Sequence, residues 1–142
     1  MSRSNPSILP FWVLSLAIAG VVGIARAFAD DEKPPRLVAA ADAKSHIDER
    51  CTVEMKVRAT KDAGPRREYY LDSEEDFHDE KNFAVVISYD HAEKFKKAGI
   101  DNPAEHYKGK KLRVTGKIIH ENDQTRMWVE KPEQIKVVDD GK

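Results

Sequence analysis

Residues 51–59 read CTVEMKVRA, and apolar and polar side chains alternate strictly along this stretch. The apolar positions are Cys51, Val53, Met55 and Val57. Because successive side chains of a β-strand point to opposite faces, the alternation predicts a strand over 51–59 with one buried face. Cys51 is the single cysteine, so no intramolecular disulfide can form, and its place in the apolar set favours a buried thiol acting as a small hydrophobe.

Two further strands are predicted after it. Residues 60–68 contain Gly64-Pro65 and are typical of a loop, and residues 69–71 then suit a second strand. The acidic run DSEEDFHDE at 72–80 is too charged to be buried and predicts an exposed connection. FAVVIS at 83–88 is nearly apolar throughout, which predicts a central strand covered on both faces.

A helix is expected next, because Asp90 and Glu93 have the spacing of a capping box and Gly99 suits a left-handed helix end. Ala92 and Phe95 would face inward, and residues 101–109 would return irregularly to the sheet. Another short helix is expected over 39–47, from the helical spacing of its apolar residues.

The last part of the chain predicts two more strands. Residues 111–119 alternate again, with Gly116 at a position that suggests a bulge or sharp bend. Residues 120–125 (HENDQT) form a polar hairpin loop, residues 126–130 a fifth strand, and Ile135, Val137 and Val138 a closing extension.

The N-terminus has the layout of a secretory signal peptide. Arg3 precedes an apolar run over 8–25, and Ala27-Phe28-Ala29 has the small-x-small form of a cleavage site. An uncleaved membrane anchor is the alternative, since the run is about as long as a short span. The predicted organisation is a signal peptide or anchor at 1–29, a linker at 30–38, one domain at 39–138 and a tail at 139–142, with the domain exported to the periplasm or the outside of the cell.

Charge argues mildly against a nucleic-acid partner. Residues 1–29 contain two basic and no acidic residues, which leaves 22 basic against 25 acidic residues in the remainder. A domain that grips a phosphate backbone usually carries a basic excess. The cluster KGKKLRVTGK at 108–117 is basic, but strand alternation divides its charges between two faces, and lysines on an edge strand also discourage aggregation.

With a helix between its third and fourth strands, the predicted element order resembles the OB-fold, a five-stranded Greek-key barrel. The expected class is therefore all-β with minor α. The chain is similar to a family of small secreted bacterial OB-fold domains described as nucleic-acid-binding-like. The likeness rests on the helix ending near His46-Ile47, on CTVEMKVRA, on YKGKKLRVTGKI at 107–118 and on PEQIKVV at 132–138.

The resemblance implies a binding surface on the second and third strands, flanked by the loops that join strands one to two and four to five. Cations and aromatic rings that could hold single-stranded nucleic acid there are the candidates. The candidate ligand-binding residues are Arg58, Lys61, Arg66, Arg67, Tyr69, Tyr70, Arg113, Arg126 and Trp128.

No catalytic motif is found, and no cofactor or metal is expected. The five histidines are scattered over separate predicted elements, and the acidic run that contains His78 lacks the glycine and ligand spacing of an EF-hand. A non-enzymatic binding module therefore remains. Its partner is an envelope protein or polymer, or single-stranded nucleic acid, and a membrane only if the N-terminal segment stays uncleaved.

Overall fold

The computed structural model of the protein describes residues 34–138, so the predicted signal segment, the first four residues of the predicted linker and the predicted tail lie outside the described residues. Within them are nine β-strands, two short α-helices and several 3-10 helices. The strands are β1 Arg36–Ala39, β2 Arg50–Lys56, β3 Ala59–Ala63, β4 Glu68–Asp72, β5 Phe83–Ser88, β6 Lys111–Lys117, β7 Ile119–Glu121, β8 Gln124–Trp128 and β9 Ile135–Val137. The α-helices are α1 Ala92–Lys97 and α2 Pro103–Tyr107.

The strands form two sheets. The four-stranded sheet has the order β1-β2-β6-β9, and the five-stranded sheet has the order β3-β4-β5-β8-β7. All pairs are antiparallel except β1 with β2 and β5 with β8, which are parallel.

Two long strands bend from one sheet into the other, which makes the two sheets one barrel. β2 and β3 are consecutive segments of the first long strand, and β6 and β7 are consecutive segments of the fourth. With these segments joined, the pairing order runs one-two-three-five-four and returns to one through β6 and β2. This order and the helices between the third and fourth strands are those of the OB-fold, which confirms the predicted fold class. The sequence predicted five strands, whereas the structure has nine, because two of the five are divided by bends and β1 and β9 are additional.

The inward side chains of both sheets make a single hydrophobic core. Its fully buried members include Val53, Leu71, Phe83, Leu112 and Met127, which come from five different strands. Phe95 of α1 is also fully buried, as the sequence predicted, and so is Ala43 of the 3-10 helix Ala40–His46. Every residue of the core cluster lies between Val38 and Ile135.

The sequence placed several element boundaries incorrectly. The predicted loop at 60–68 contains β3, whose residues pair with β4 from Ala63 opposite Glu68 to Ala59 opposite Asp72. Residues 36–38 were assigned to the linker, yet they belong to β1 and pair in parallel with β2. The return segment 101–109 was expected to be irregular, but it contains α2, with the Asn102 side chain accepting hydrogen bonds from the first backbone amides.

The helix after β5 also begins differently. Ser88, not Asp90, caps this segment, because its side chain accepts a hydrogen bond from the Asp90 amide and a 3-10 turn precedes α1. Gly99 follows with a φ of 87°, which confirms the predicted left-handed end. Within residues 34–138, no helix has the length and apolarity needed to span a bilayer.

Gly116 is needed for close packing rather than for a bulge. It pairs in register with Cys51, and a Cβ atom at this position would lie 3.0 Å from Met127 Sδ and 3.3 Å from Gln134 Nε2. The break in this strand comes two residues later, at Ile118, whose amide donates to the Glu49 carbonyl at 2.9 Å.

The β7–β8 hairpin closes with Asn122 and Asp123 at φ values of 53° and 62°. Two central residues with positive φ favour glycine in the second position. We expect Asp123→Gly to raise the free energy of unfolding by about 0.5–1 kcal/mol, measured by urea denaturation. Asp101 is exposed and has no positive φ. Asp101→Gly should therefore lower stability, and equal effects of the two changes would contradict the argument from backbone conformation.

Candidate ligand-binding groove

The outward side chains of the five-stranded sheet form continuous rows. Lys61 is opposite Tyr70, Tyr70 is opposite Val86, and Val86 is opposite Trp128. Ala84 and Val86 point outward on β5 and are nonetheless fully buried, although neither belongs to the barrel core. The register places larger side chains from β4 and β8 on both sides of them, so this outer face has a small apolar layer of its own.

A groove of about 570 Å³ lies over this face, between the β3–β4 turn and the β7–β8 hairpin. Its lining combines cations, acids and apolar groups. The cations are Lys61, Arg66 and Arg126, the acids are Asp62 and Asp72, and the other lining residues are Ala63, Pro65, Tyr70, Phe77, Asn122 and Gln124. Neither Lys61 nor Arg66 forms a salt bridge within residues 34–138, and both are exposed.

Arg126 is held rigidly at the base of the groove. Its side chain is 7% exposed, Nη1 lies 3.4 Å from Glu121 Oε1, and Nε donates to Gln124 Oε1 at 3.2 Å. The guanidinium carbon lies 5.5 Å from the centre of the Tyr70 ring. Trp128 Nε1 donates to the same Glu121 oxygen at 3.1 Å. This network fixes one side of the groove before any ligand arrives, which limits the entropy lost on binding.

Buried polar contacts fix the acidic loop beside the groove. Asp72 and Ser73 are buried, contrary to the prediction that all of 72–80 would be exposed. Asn82 Nδ2 donates to Asp72 Oδ1 at 3.0 Å, and Asn82 Oδ1 accepts from the Glu74 amide at 2.9 Å. Burial raises the pKa of the Asp72 carboxyl, while the Asn82 hydrogen bond and the nearby Arg126 charge act in the opposite direction.

Phe77 is a groove residue that the sequence analysis did not select. It lies in the acidic loop with 49% of its surface exposed, and its ring centre is 4.0 Å from that of His78. Gln124 Nε2 donates to the Phe77 carbonyl at 3.4 Å, which joins the loop to the β7–β8 hairpin. An exposed aromatic residue inside an acidic run was the available signal.

Four of the nine predicted site residues line the groove together, namely Lys61, Arg66, Tyr70 and Arg126. Trp128 is beside it through the shared Glu121 carboxylate. Tyr70 is half-buried on the outward face, whereas Tyr69 is buried in the core with its ring centre 4.8 Å from that of Tyr89. Because neighbouring residues of a strand face opposite sides of the sheet, only one of the two tyrosines can reach the groove.

Three other predicted site residues do not line the groove. Arg67 is adjacent to Arg66, but Nη2 lies 3.8 Å from Asp90 and the guanidinium carbon 5.4 Å from the Tyr89 ring centre. Arg113 is on β6 of the other sheet, where Nε donates to Glu54 at 2.9 Å. Arg58 is exposed at the bend between β2 and β3 and does not line the groove.

One group of possible metal-ligand atoms lies away from the groove. His46 Nδ1 is 3.1 Å from Glu49 Oε1, and Cys51 Sγ is 3.8 Å from the same oxygen. Nitrogen, oxygen and sulfur donors at such separations suit zinc. Burial and the Glu49 charge raise the pKa of the Cys51 thiol, however, and so oppose the thiolate that zinc requires.

No protein-family profile and no curated protein matches the chain. Three similar solved structures are the p204 HINb domain, with 14% identity and a TM-score of 0.47, an aspartyl-tRNA synthetase of Entamoeba histolytica, with 10% and 0.47, and the asparaginyl-tRNA synthetase of that organism, with 15% and 0.44. The match with the HINb domain covers 75% of this chain and 47% of that one. The matches with the aspartyl- and asparaginyl-tRNA synthetases cover 75% and 73% of this chain, but only 23% and 24% of the respective synthetases. The chain thus spans less than half of each, and likenesses this distant carry no argument about function. Its own strand order and groove define an OB-fold domain.

The raised pKa of Asp72 has a measurable consequence. A carboxyl with a higher pKa in the folded state favours folding more as the pH falls through that pKa, and it disfavours folding above it. Asp72→Asn keeps an acceptor for Asn82 and removes this titration. We expect the free energy of unfolding of the variant minus that of the wild type to be more positive at about pH 7 than at about pH 4. Urea denaturation of both proteins at the two pH values measures this difference.

Asp76→Asn is the matched control with the opposite sign. The backbone amide of His78 donates to Asp76 Oδ1 at 2.9 Å and, with the His78 side chain, lowers the pKa of Asp76. That carboxylate stabilises the fold at neutral pH, and the contribution is lost as the pH falls through the lowered pKa. The two variants should therefore depart from the wild type in opposite directions, and a shared direction would refute the assignment for Asp72.

Proposed function

We propose that this protein is an exported, non-enzymatic binding module that holds an extended segment of an envelope partner protein in the groove of its five-stranded sheet. The observation that carries the proposal is the groove itself, which joins both loops flanking the outer face and places exposed cations beside aromatic rings. OB-folds bind ligands at this position, although fold alone does not decide the ligand.

The mixed lining favours a peptide segment over a polyanion. Asp62 and Asp72 lie in the groove, and the acidic loop adds further negative charge at its rim. Arg126 is already paired with Glu121, which leaves Lys61 and Arg66 as the cations available to a ligand. A peptide with one or two carboxylates and an apolar side chain would match these two cations together with Tyr70 and Phe77.

Single-stranded nucleic acid is the second candidate, because Lys61 and Arg66 lie beside the half-buried ring of Tyr70. Base stacking needs an open aromatic face. The Arg126 guanidinium lies over the Tyr70 ring, and the Trp128 indole nitrogen is bonded to Glu121. Phe77 is the more exposed of the two aromatic residues that line the groove. One open ring offers only a small stacking surface to a strand of bases.

The neighbouring arginines provide a matched test. Arg66 lines the groove and Arg67 does not, so Arg66→Ala and Arg67→Ala remove the same charge at adjacent positions. We expect Arg66→Ala to weaken ligand binding by about tenfold, as for loss of one charge-assisted contact, and Arg67→Ala to leave it unchanged. Binding is measured by fluorescence anisotropy with labelled acidic-apolar peptides and single-stranded oligonucleotides.

Salt dependence separates the two ligand classes in this experiment. Oligonucleotide binding should weaken steeply from low to physiological salt through counterion release, whereas peptide binding through one or two charge pairs should weaken much less. Peptide binding that weakens in Arg66→Ala and not in Arg67→Ala supports the proposal. Oligonucleotide binding that responds to the two variants in the same way supports the second candidate. Equal losses in both arginine variants, or no binding of either ligand, would remove the groove from consideration.

Export rests on the sequence of residues 1–29, which lie outside the described part of the chain. If signal peptidase cleaves after Ala29, mass spectrometry of the protein recovered from a bacterial periplasm should give a mature N-terminus at Asp30. A full-length chain in the membrane fraction would instead indicate an anchored protein, and a full-length chain in the cytoplasm would refute export.

A further inference from the structure

The outer surface of the four-stranded sheet is strongly basic. Its outward positions on β2, β6 and β9 carry six cations and one acid. The cations are Arg50, Lys56, Lys111, Arg113, Lys117 and Lys136, and the acid is Glu54. Side-chain contacts confirm that these residues share one face, since Thr52 and Thr115 hydroxyls lie 2.8 Å apart and Lys111 Nζ lies 3.2 Å from Glu54. We call these six cations the basic face.

The register places like charges directly opposite one another. Lys56 pairs with Lys111, Arg50 pairs with Lys117, and Arg113 pairs with Lys136. Like charges directly opposite on neighbouring strands destabilise a sheet. Glu54 forms salt bridges with Lys111 and Arg113, and no other salt bridge to these six cations occurs within residues 34–138. Edge protection accounts for at most one of them, because only Lys136 lies on an edge strand and β2 and β6 are the interior strands of this sheet.

The basic face contrasts with the rest of the domain. Residues 30–142 contain 22 basic and 25 acidic residues, so six cations beside one acid are a local reversal of the overall charge. A cluster that costs stability and opposes the net charge is expected where an anionic partner neutralises it. This surface is separate from the groove, which lies on the other sheet.

We propose that the basic face binds the surface of an anionic phospholipid bilayer. A four-stranded sheet presents its cations over a broad surface, as an array of headgroup phosphates requires, and each such cation adds attraction to an anionic membrane. Leu37, outward on the neighbouring strand β1 and 53% exposed, adds an apolar side chain at the border of this face. The apolar run at 8–25, whether it is cleaved or kept as an anchor, would direct the chain to a membrane during export and so bring the domain near a bilayer.

Composition of the face distinguishes lipid from single-stranded nucleic acid. No outward position of the four-stranded sheet carries an aromatic residue. Binding of single strands combines cations with aromatic platforms for the bases, and the second component is missing here. Headgroup phosphates need only the cations.

Vesicle sedimentation tests the proposal with the fragment Asp30–Lys142, which contains a compact unit from Pro35 onward and the whole core cluster of the described residues. The vesicles are phosphatidylcholine alone, or phosphatidylcholine with roughly one-third phosphatidylglycerol. One variant combines Lys56→Gln, Lys117→Gln and Lys136→Gln. At about 1 kcal/mol per lysine, we expect it to bind anionic vesicles roughly 100-fold more weakly than the wild type.

The control variant combines Lys94→Gln, Lys96→Gln and Lys97→Gln, three exposed lysines of helix α1. It changes the net charge by the same amount and should keep most of the affinity. Equal losses in the two variants, or wild-type binding that is as tight without phosphatidylglycerol, would overturn the proposal. Binding of labelled oligonucleotides through the same three lysines, without binding to vesicles, would also overturn it and assign the face to nucleic acid.

Stability gives a readout that distinguishes binding from a structural role. Each of the three lysine-to-glutamine changes breaks one of the opposed cation pairs, so without vesicles the triple variant should unfold at a higher urea concentration than the wild type. A variant that loses both lipid binding and stability would indicate that the lysines support the fold, contrary to the proposal.

Discussion

The architecture depends on a change of hydrogen-bond partner between two adjacent residues. The Val57 amide donates to the Lys110 carbonyl at 2.9 Å, on the side of the four-stranded sheet, while the Arg58 amide donates to the Asp72 carbonyl at 2.9 Å, on the side of the five-stranded sheet. Val57 is fully buried at this point. The bend lets one strand pair in both sheets around the core, with both of these amides hydrogen-bonded. The fourth strand bends in the same way at Ile118. Because the two sheets then face outward in different directions, the domain has two separate surfaces.

Sequence reasoning recovered the elements in which one face is buried. Alternation over 51–59 and 111–119 predicted strands whose core residues include Val53, Met55, Leu112 and Val114, although both strands bend before the predicted end. The apolar segment 83–88 was correctly placed at the centre of a sheet. It missed β3 because Lys61 and Asp62 are both exposed, so this edge strand has no hydrophobic period to detect. Its strand conformation depends on pairing with β4 in the folded protein, which local composition does not reveal.

The candidate site was recovered less completely, for a geometric reason. Strands β3 and β4 line the groove together with the β3–β4 turn, the acidic loop and the β7–β8 hairpin, and the distances between these residues depend on where each loop is fixed. Phe77 reaches the groove because Asn82 bonds to Asp72 at the base of its loop, which was predicted to be exposed throughout. Arg66 and Arg67 were selected as a pair, but Arg67 adopts a left-handed conformation with φ 59°. That conformation separates two adjacent and chemically identical side chains.

The two surfaces differ in how their charges are compensated, and this difference bears on what each can bind. In the groove, the buried Arg126 is neutralised by Glu121 and stacked on Tyr70, so its orientation is set and its desolvation has already occurred in folding. Such a site selects by shape and by a few placed contacts. On the four-stranded sheet, three cation pairs lie opposite one another, and Glu54 is the one carboxylate at the outward positions of β2, β6 and β9, where it is paired with Lys111 and Arg113. Mobile counterions or an anionic partner would relieve the remaining repulsion. That surface selects by charge density, with little demand on the partner's shape. The two proposed ligands would therefore not compete for a site, because the barrel core keeps the groove and the basic face on different sheets.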